Sequence, residues 1–119
     1  MQAFLKRVRY ALQGWRYFVQ HETNGQLQLL IAVAVVVAGV AFGISRHEWL
    51  WVLGCIALVL SLEMLNSSLE KLADALHPGQ HPLVGLAKDL AAGAVLWAAV
   101  ISAVIGIIIF WPYCQRWLA

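Results

Sequence analysis

Charged residues are scarce in this sequence. Asp, Glu, Lys and Arg make up only 12% of its 119 residues, whereas 62% are hydrophobic and the mean hydropathy is +0.77. Since soluble domains carry about 25% charged residues, this composition excludes an ordinary soluble domain and predicts an integral membrane protein. The net charge of +2 is too small to indicate nucleic-acid binding.

Cysteine and proline are also rare. Cys55 and Cys114 show no CxxC or metal-ligand spacing, so we assign neither a function. Pro78 and Pro82 lie in one polar connection, where they are expected to end one helix before the next begins. The N-terminus lacks a compact apolar segment followed by a small-residue cleavage site, so we expect membrane insertion through the helices of the mature chain.

Three apolar runs predict membrane-spanning helices, at about residues 26–44, 49–64 and 90–111. Each approaches the roughly 20 residues that cross about 30 Å of hydrocarbon, the second by continuing as a polar helix to about residue 75. Residues 3–20 combine an apolar face with basic side chains, which is typical of an amphipathic helix lying on the membrane surface. We therefore expect an all-α membrane protein that forms a single domain over residues 1–119.

Lysine and arginine are distributed unevenly between the two ends of the predicted spans. Arg46 and Arg116 lie at one end. The others lie at the opposite end and are Lys6, Arg7, Arg9, Arg16, Lys71 and Lys88. The positive-inside rule therefore predicts that the N-terminus and the second connection are cytoplasmic.

A stripe of polar side chains follows the second apolar run. At 100° per residue, five residues fall within about 100° of one helix surface. They are Glu63, Asn66, Ser67, Glu70 and Asp74. An acid at the bilayer centre costs about 2.5–3.5 kcal/mol even on a lenient insertion scale, so the three carboxylates must face protein, water or a cation.

The position of Glu63 indicates a role in phosphoryl transfer but leaves two other roles open. Glu63 lies about 21 Å along the helix from Trp49, inside the inner part of the hydrocarbon layer. Carboxylates can hold Mg²⁺ and a lysine such as Lys88 can neutralise phosphate charge, so the cluster suits phosphoryl transfer from cytosolic ATP to a lipid hydroxyl whose proton Glu63 accepts. On spacing alone, an interhelical hydrogen-bond network or a small proton-coupled transporter that uses Glu63 also remains open.

A specific motif narrows these options. The stretch EMLNSSLEKLAD at residues 63–74, with His81 and AKDLAAGAV at residues 87–95, resembles the signature of the prokaryotic diacylglycerol kinase family, which includes undecaprenol kinases. The resemblance extends from about Phe4 to Trp111. It implies a homotrimer in the bacterial inner membrane, with a surface helix and three spanning helices per subunit. It also implies that the active sites face the cytoplasm and are shared between neighbouring subunits.

The resemblance implies roles for individual residues. Glu63 corresponds to the catalytic base that deprotonates the lipid hydroxyl, with Asn66 beside it and Ser67 in the lipid-substrate site. Glu22 and Glu70 correspond to the carboxylates that bind the Mg²⁺ accompanying ATP. The remaining residues implied on the nucleotide side are Tyr10, Asp74, His81, Lys88 and Asp89.

The same comparison bears on the lipid substrate. Ala91 and Ala92 stand where diacylglycerol kinases more usually carry Gly-Ser, and Gln28 stands where they carry an acid, so these positions resemble the undecaprenol kinase branch. The Leu-Asn-Ser form at residues 65–67 is instead common among diacylglycerol kinases. We therefore expect undecaprenol as the substrate, with diacylglycerol as the alternative.

Overall fold

The computed structural model describes the whole chain, residues 1–119, as four α-helices. Their bounds are α1 Gln2–His21, α2 Thr23–Phe42, α3 Arg46–Leu76 and α4 Pro82–Leu118. The last three are long and apolar enough to cross a membrane. The prediction of an all-helical protein with three candidate membrane-spanning helices is therefore confirmed.

A single residue separates α1 from α2. Glu22 has an extended backbone (φ −94°, ψ 107°), although the sequence pattern predicts a longer break over residues 21–25. The ring of Phe18 packs so closely on Gly25 that a Cβ there would lie 2.5 Å from it. Phe18 is the one buried residue of α1. This packing therefore sets the angle between the two helices and the position of Glu22.

Two helix caps form the turn between α2 and α3. Gly43 ends α2 in the left-handed conformation (φ 65°, ψ 49°), which glycine adopts without a Cβ penalty. Ser45 begins α3 with a capping box, in which Glu48 N–H donates to Ser45 Oγ at 3.1 Å and Ser45 N–H donates to the Glu48 carboxylate at 2.9 Å. The short turn makes α2 and α3 antiparallel neighbours.

A small apolar core lies beside this turn. Its buried members are Ile44, Val52 and Ile109, and the aromatic side chains packed around them are Phe42, Trp49, Phe110 and Tyr113. Tyr113 Oη also donates to the Glu48 carboxylate, which joins the C-terminal part of α4 to the first turn of α3. This end of the bundle is thus held by apolar packing, and the buried polar residues lie toward the other end of α3.

Both α3 and α4 extend beyond an apolar span. They contain 31 and 37 residues, or about 46 and 55 Å at 1.5 Å per residue, compared with about 30 Å of hydrocarbon. α4 begins at Pro82, several residues before the predicted span at 90–111, because proline suits the first position of a helix and the His81 ring accepts a hydrogen bond from Leu83 N–H at 3.2 Å. α4 then continues through Pro112.

Candidate active site

Three polar side chains of α3 are buried. Glu63 is 4% exposed, Asn66 8% and Ser67 7%, and no other polar or charged side chain in the chain is buried. Removing such groups from water costs free energy unless they are hydrogen-bonded or bind a ligand. This part of the polar stripe therefore faces protein, as the cost of placing acids against lipid requires.

Asn66 is only partly satisfied. Its Nδ2 donates to Glu70 Oε1 at 3.5 Å. Its Oδ1 is buried without a hydrogen-bond partner, and no other buried side-chain N or O atom is in that state. An unpaired buried acceptor costs about 1–3 kcal/mol. The Asn66 oxygen is therefore available to a donor or a cation that enters the site.

Glu22 brings the α1–α2 junction to the same place. Its carboxylate forms an ion pair with Lys71, and the nearby Ser67 hydroxyl also acts to lower its pKa. The hydrogen bond from Lys71 is the main reason that the pKa of Glu22 lies below its ordinary value. The charges of Glu70 and Glu22 also act on Glu63. We call this set the acidic cluster: Glu22, Glu63, Asn66, Ser67 and Glu70.

A second ion pair lies further along α3. Asp74, one turn beyond Glu70, pairs with Lys88 of α4. The pair holds the N-terminal part of α4 beside the C-terminal part of α3. It thereby places a lysine near the same end of the bundle as the acidic cluster.

Three predicted nucleotide-side residues stand apart from the acidic cluster in the single chain. Tyr10 is 57% exposed and Asp89 is also exposed, and no hydrogen bond, ion pair or aromatic contact joins either residue to the cluster. His81 caps α4, and its ring centroid lies 4.9 Å from that of His77. One chain therefore assembles the predicted base and metal ligands but not the whole predicted nucleotide site.

The sequence prediction does not include two residues that belong to this region. Lys71 pairs with Glu22, and its Nζ lies 5.1 Å from the centroid of the Tyr17 ring. Lys71 follows Ser67 by one helical turn, a spacing that places two side chains on neighbouring parts of a helix surface. This spacing places Lys71 beside the polar stripe, but its contact with Glu22 depends on the position of the α1–α2 junction, which the sequence pattern does not specify.

The oxygen atoms of the acidic cluster fit Mg²⁺. This ion prefers oxygen ligands, keeps several waters and usually binds through one or two carboxylates together with substrate phosphates. The cluster offers the carboxylates of Glu22 and Glu70 and the unpaired Oδ1 of Asn66. No group of three or more His, Cys, Asp or Glu side chains is arranged to hold a metal ion by itself. The donor set thus fits an ion that arrives with a phosphate.

An apolar groove comes within about one turn of α3 of the acidic cluster. This cavity of about 520 Å³ lies between α2, α3 and α4 and is lined mainly by hydrophobic side chains. Its volume is in the range of small-molecule sites, about 300–1,000 Å³. Val59 and Leu60 line it within about one turn of Glu63, and Gln28 of α2 lines it as well. The groove therefore offers space for a hydrocarbon chain next to the buried carboxylate.

The fold and the site together define a class: a small helical membrane protein with a buried carboxylate cluster at one end of a span and an apolar groove beside it. The sequence profile of the family described as prokaryotic diacylglycerol kinase matches residues 9–110. The chain belongs to the prokaryotic diacylglycerol kinase family.

Several relatives match over almost their whole length. The undecaprenol kinase of Bacillus subtilis (strain 168) is 38% identical over 112 residues, which cover 94% of this chain and 91% of the relative. The diacylglycerol kinase of Haemophilus influenzae is 28% identical over 108 residues, covering 89% and 92%. That of Escherichia coli (strain K12) is 25% identical over 109 residues, covering 92% and 89%. The predicted family and the predicted enzyme class, lipid kinase, are confirmed.

Proposed function

We propose that this protein is an ATP- and Mg²⁺-dependent kinase that phosphorylates undecaprenol at the cytoplasmic membrane interface, with diacylglycerol as the second candidate substrate. The observation that carries the proposal is the burial of Glu63 within the acidic cluster, about one turn of α3 from Val59 and Leu60, which line the apolar groove. A lipid hydroxyl can reach Glu63 from the groove. A nucleotide phosphate can approach from the exposed side of Glu70.

In this mechanism Glu63 is the general base. Its carboxylate accepts the proton of the lipid hydroxyl while the hydroxyl oxygen bonds to the γ-phosphorus of ATP and the bond to the departing ADP oxygen breaks. Burial of Glu63 keeps bulk water away from the attacking position. Asn66 orients Glu70 through the hydrogen bond described above, and Ser67, one turn beyond Glu63 on α3, contacts the lipid substrate in this proposal.

The metal and nucleotide contacts are part of the same proposal. Glu22 and Glu70 would hold Mg²⁺ in the nucleotide complex, and the unpaired Asn66 Oδ1 would be a further oxygen available to it. When bound, the ion supplies positive charge that offsets the charge of the phosphates. Lys88 contacts a phosphate, either after it breaks its ion pair with Asp74 or while it keeps that pair, since its side chain is one-third exposed and can reorient.

We infer that neighbouring subunits complete the site in a homotrimer. The family resemblance supports this assembly, and so does the separation of Tyr10, His81 and Asp89 from the acidic cluster in one chain. A second subunit can supply these residues to the nucleotide. Chemical cross-linking of the protein in bilayers tests the assembly, and a largest product of two subunits would contradict it.

We place the protein in the bacterial inner membrane, with the acidic cluster at the cytoplasmic face. The Glu22–Lys71 and Asp74–Lys88 pairs bring the start of α2, the end of α3 and the start of α4 to one end of the bundle. This end carries the excess of Lys and Arg, which the positive-inside rule assigns to the cytoplasm. α1, with its basic and apolar faces, then lies on the cytoplasmic membrane surface.

The preference for undecaprenol rests on sequence similarity and on the groove. The Bacillus subtilis undecaprenol kinase shares 38% identity with this chain, compared with 28% for the Haemophilus influenzae diacylglycerol kinase. Gln28, where the diacylglycerol branch carries an acid, lines the groove and gives it a neutral wall. A neutral wall suits a purely hydrocarbon polyprenyl chain.

Phosphoryl transfer from γ-labelled ATP tests the proposed function. Purified protein in mixed micelles is given Mg²⁺ and either undecaprenol or diacylglycerol, and labelled lipid is quantified. We expect transfer to undecaprenol at the higher initial rate. Transfer to diacylglycerol alone would correct the substrate, and transfer to neither lipid by folded protein would contradict the kinase proposal. Substrate-dependent proton flux in sealed vesicles without ATP would instead support a transporter.

A further inference from the structure

One lysine already occupies the proposed metal site. The chain contains two ion pairs, and only the pair between Lys71 and Glu22 includes a member of the acidic cluster. Lys71 Nζ also lies over the Tyr17 ring of α1, 5.1 Å from its centroid. Lys71 thus connects α3 to α1 and to the α1–α2 junction, while it neutralises one carboxylate of the cluster.

This contact conflicts with metal binding at Glu22. An ammonium and a divalent cation are both attracted by the same carboxylate charge and use the same oxygen lone pairs. We propose that Lys71 is a resident counter-ion that neutralises Glu22 in the nucleotide-free protein and gives way to Mg²⁺ when the metal–nucleotide complex binds. Lys71 is therefore a positioning residue that sets the apparent affinity for the divalent cation. This inference rests on the proposed function.

The surroundings of Lys71 allow such an exchange. Its side chain is 51% exposed, whereas that of Glu22 is 19% exposed, so the lysine can swing into solvent while the carboxylate stays in place. The Tyr17 ring already contacts this ammonium while it is paired with Glu22, and because a cation is attracted to an aromatic face, the ring can keep the ammonium nearby after it leaves the carboxylate. Ser67 lies near enough to Glu22 to favour its charged form, so the carboxylate keeps a polar neighbour when the lysine leaves.

The expected size of the effect follows from the strength of such pairs. A partly exposed ion pair favours its paired state by about 1.4- to 5-fold over the open state. Since a metal ion binds only when Glu22 is open, the pair weakens apparent metal binding by about two- to sixfold. Removing the lysine also removes a positive charge from the site, which acts in the same direction.

Binding of Mn²⁺ tests the inference without relying on turnover. Electron paramagnetic resonance measures protein-bound Mn²⁺ in detergent micelles with a saturating β,γ-imido analogue of ATP. We expect Lys71→Met and Lys71→Gln to lower the Mn²⁺ concentration at half-saturation by about two- to sixfold relative to the parent protein. Lys71→Arg, which keeps the charge, should restore half-saturation to near the parental concentration. Lys6→Met is the control, because it makes the same lysine-to-methionine change in α1, away from the cluster. It should leave the Mn²⁺ concentration at half-saturation unchanged.

Each alternative result has a definite meaning. Equal half-saturation in the parent and both neutral variants, together with weakened Mn²⁺ binding in Glu22→Gln, would overturn the role of Lys71 and leave the proposed metal site intact. Weaker Mn²⁺ binding in the neutral variants would also overturn it, because Lys71 would then assist binding. A lowered melting temperature without a change in half-saturation would show a structural role only. No Mn²⁺ binding by folded parent protein would overturn this inference together with the proposed metal site.

Discussion

Replacement of Glu63 by glutamine removes the proposed base and keeps the volume of the side chain. Loss of a general base typically lowers the rate by about 10²- to 10⁴-fold. At 1.36 kcal/mol per factor of ten, this raises the barrier by about 3–5 kcal/mol. Glu63 is only 4% exposed, so bulk water cannot readily take over proton acceptance. We therefore expect the loss of turnover in Glu63→Gln to lie in the upper part of this range.

The same substitution should leave the fold and nucleotide binding in place. The charges of Glu70 and Glu22 act on Glu63, so neutralising it relieves repulsion in the cluster. The proposed metal ligands, Glu22 and Glu70, are unchanged. We expect the melting temperature in detergent and the dissociation constant for the imido analogue of ATP to stay close to the parental values.

The assay compares initial rates of phosphoryl transfer from labelled ATP in mixed micelles. Glu48→Gln is the matched control, because Glu48 lies at the opposite end of the same helix and glutamine can also complete a capping box. We expect the control to retain parental turnover. Parental turnover in Glu63→Gln would refute the base assignment. A loss of turnover accompanied by loss of analogue binding would reassign Glu63 to the nucleotide site.

Three further predictions concern metal binding, pH and stability. Glu70→Gln should raise the Mg²⁺ concentration for half-maximal activity steeply, and an unchanged metal titration would exclude Glu70 as a ligand. The lowered pKa of Glu22 means that its pair with Lys71 stabilises the fold fully above about pH 4.5, and that this stabilisation is lost as the pH falls through the lower pKa of the folded state. On acidification, the melting temperature of Lys71→Met should therefore decrease by less than that of the parent protein. Tyr113→Phe removes the hydrogen bond to Glu48 and should lower the free energy of unfolding by about 0.5–1.5 kcal/mol without changing turnover.

The helical repeat predicts which side chains of the polar stripe are buried. Residues 63, 66 and 67 share a face because three and four positions make about one turn, and the cost of exposing acids to lipid requires that this face meet protein. The structure buries these three side chains. Their burial follows from periodicity and desolvation, which are both readable in one sequence.

Contacts between distant segments are harder to predict. The helix break at Glu22 covers one residue because Phe18 packs on Gly25, and no local pattern shows that contact. Lys71 lies about 100° around the helix from Glu70, so angular position alone leaves it outside the polar stripe. Its long, flexible stem nevertheless reaches Glu22. Such a contact depends on where the α1–α2 junction lies, which only the three-dimensional arrangement specifies.

The charges of the acidic cluster connect the two proposals. Glu22, Glu63 and Glu70 carry three negative charges, and Lys71 compensates only one of them in the nucleotide-free protein. In the proposed exchange, Glu22 and Glu70 would hold Mg²⁺, whose two positive charges would offset these two carboxylates. Glu63 then remains the one carboxylate of the cluster that no cation neutralises. A carboxylate in that state can accept a proton from the lipid hydroxyl, so the exchange of Lys71 for the metal leaves the proposed base ready at the moment when the phosphate arrives.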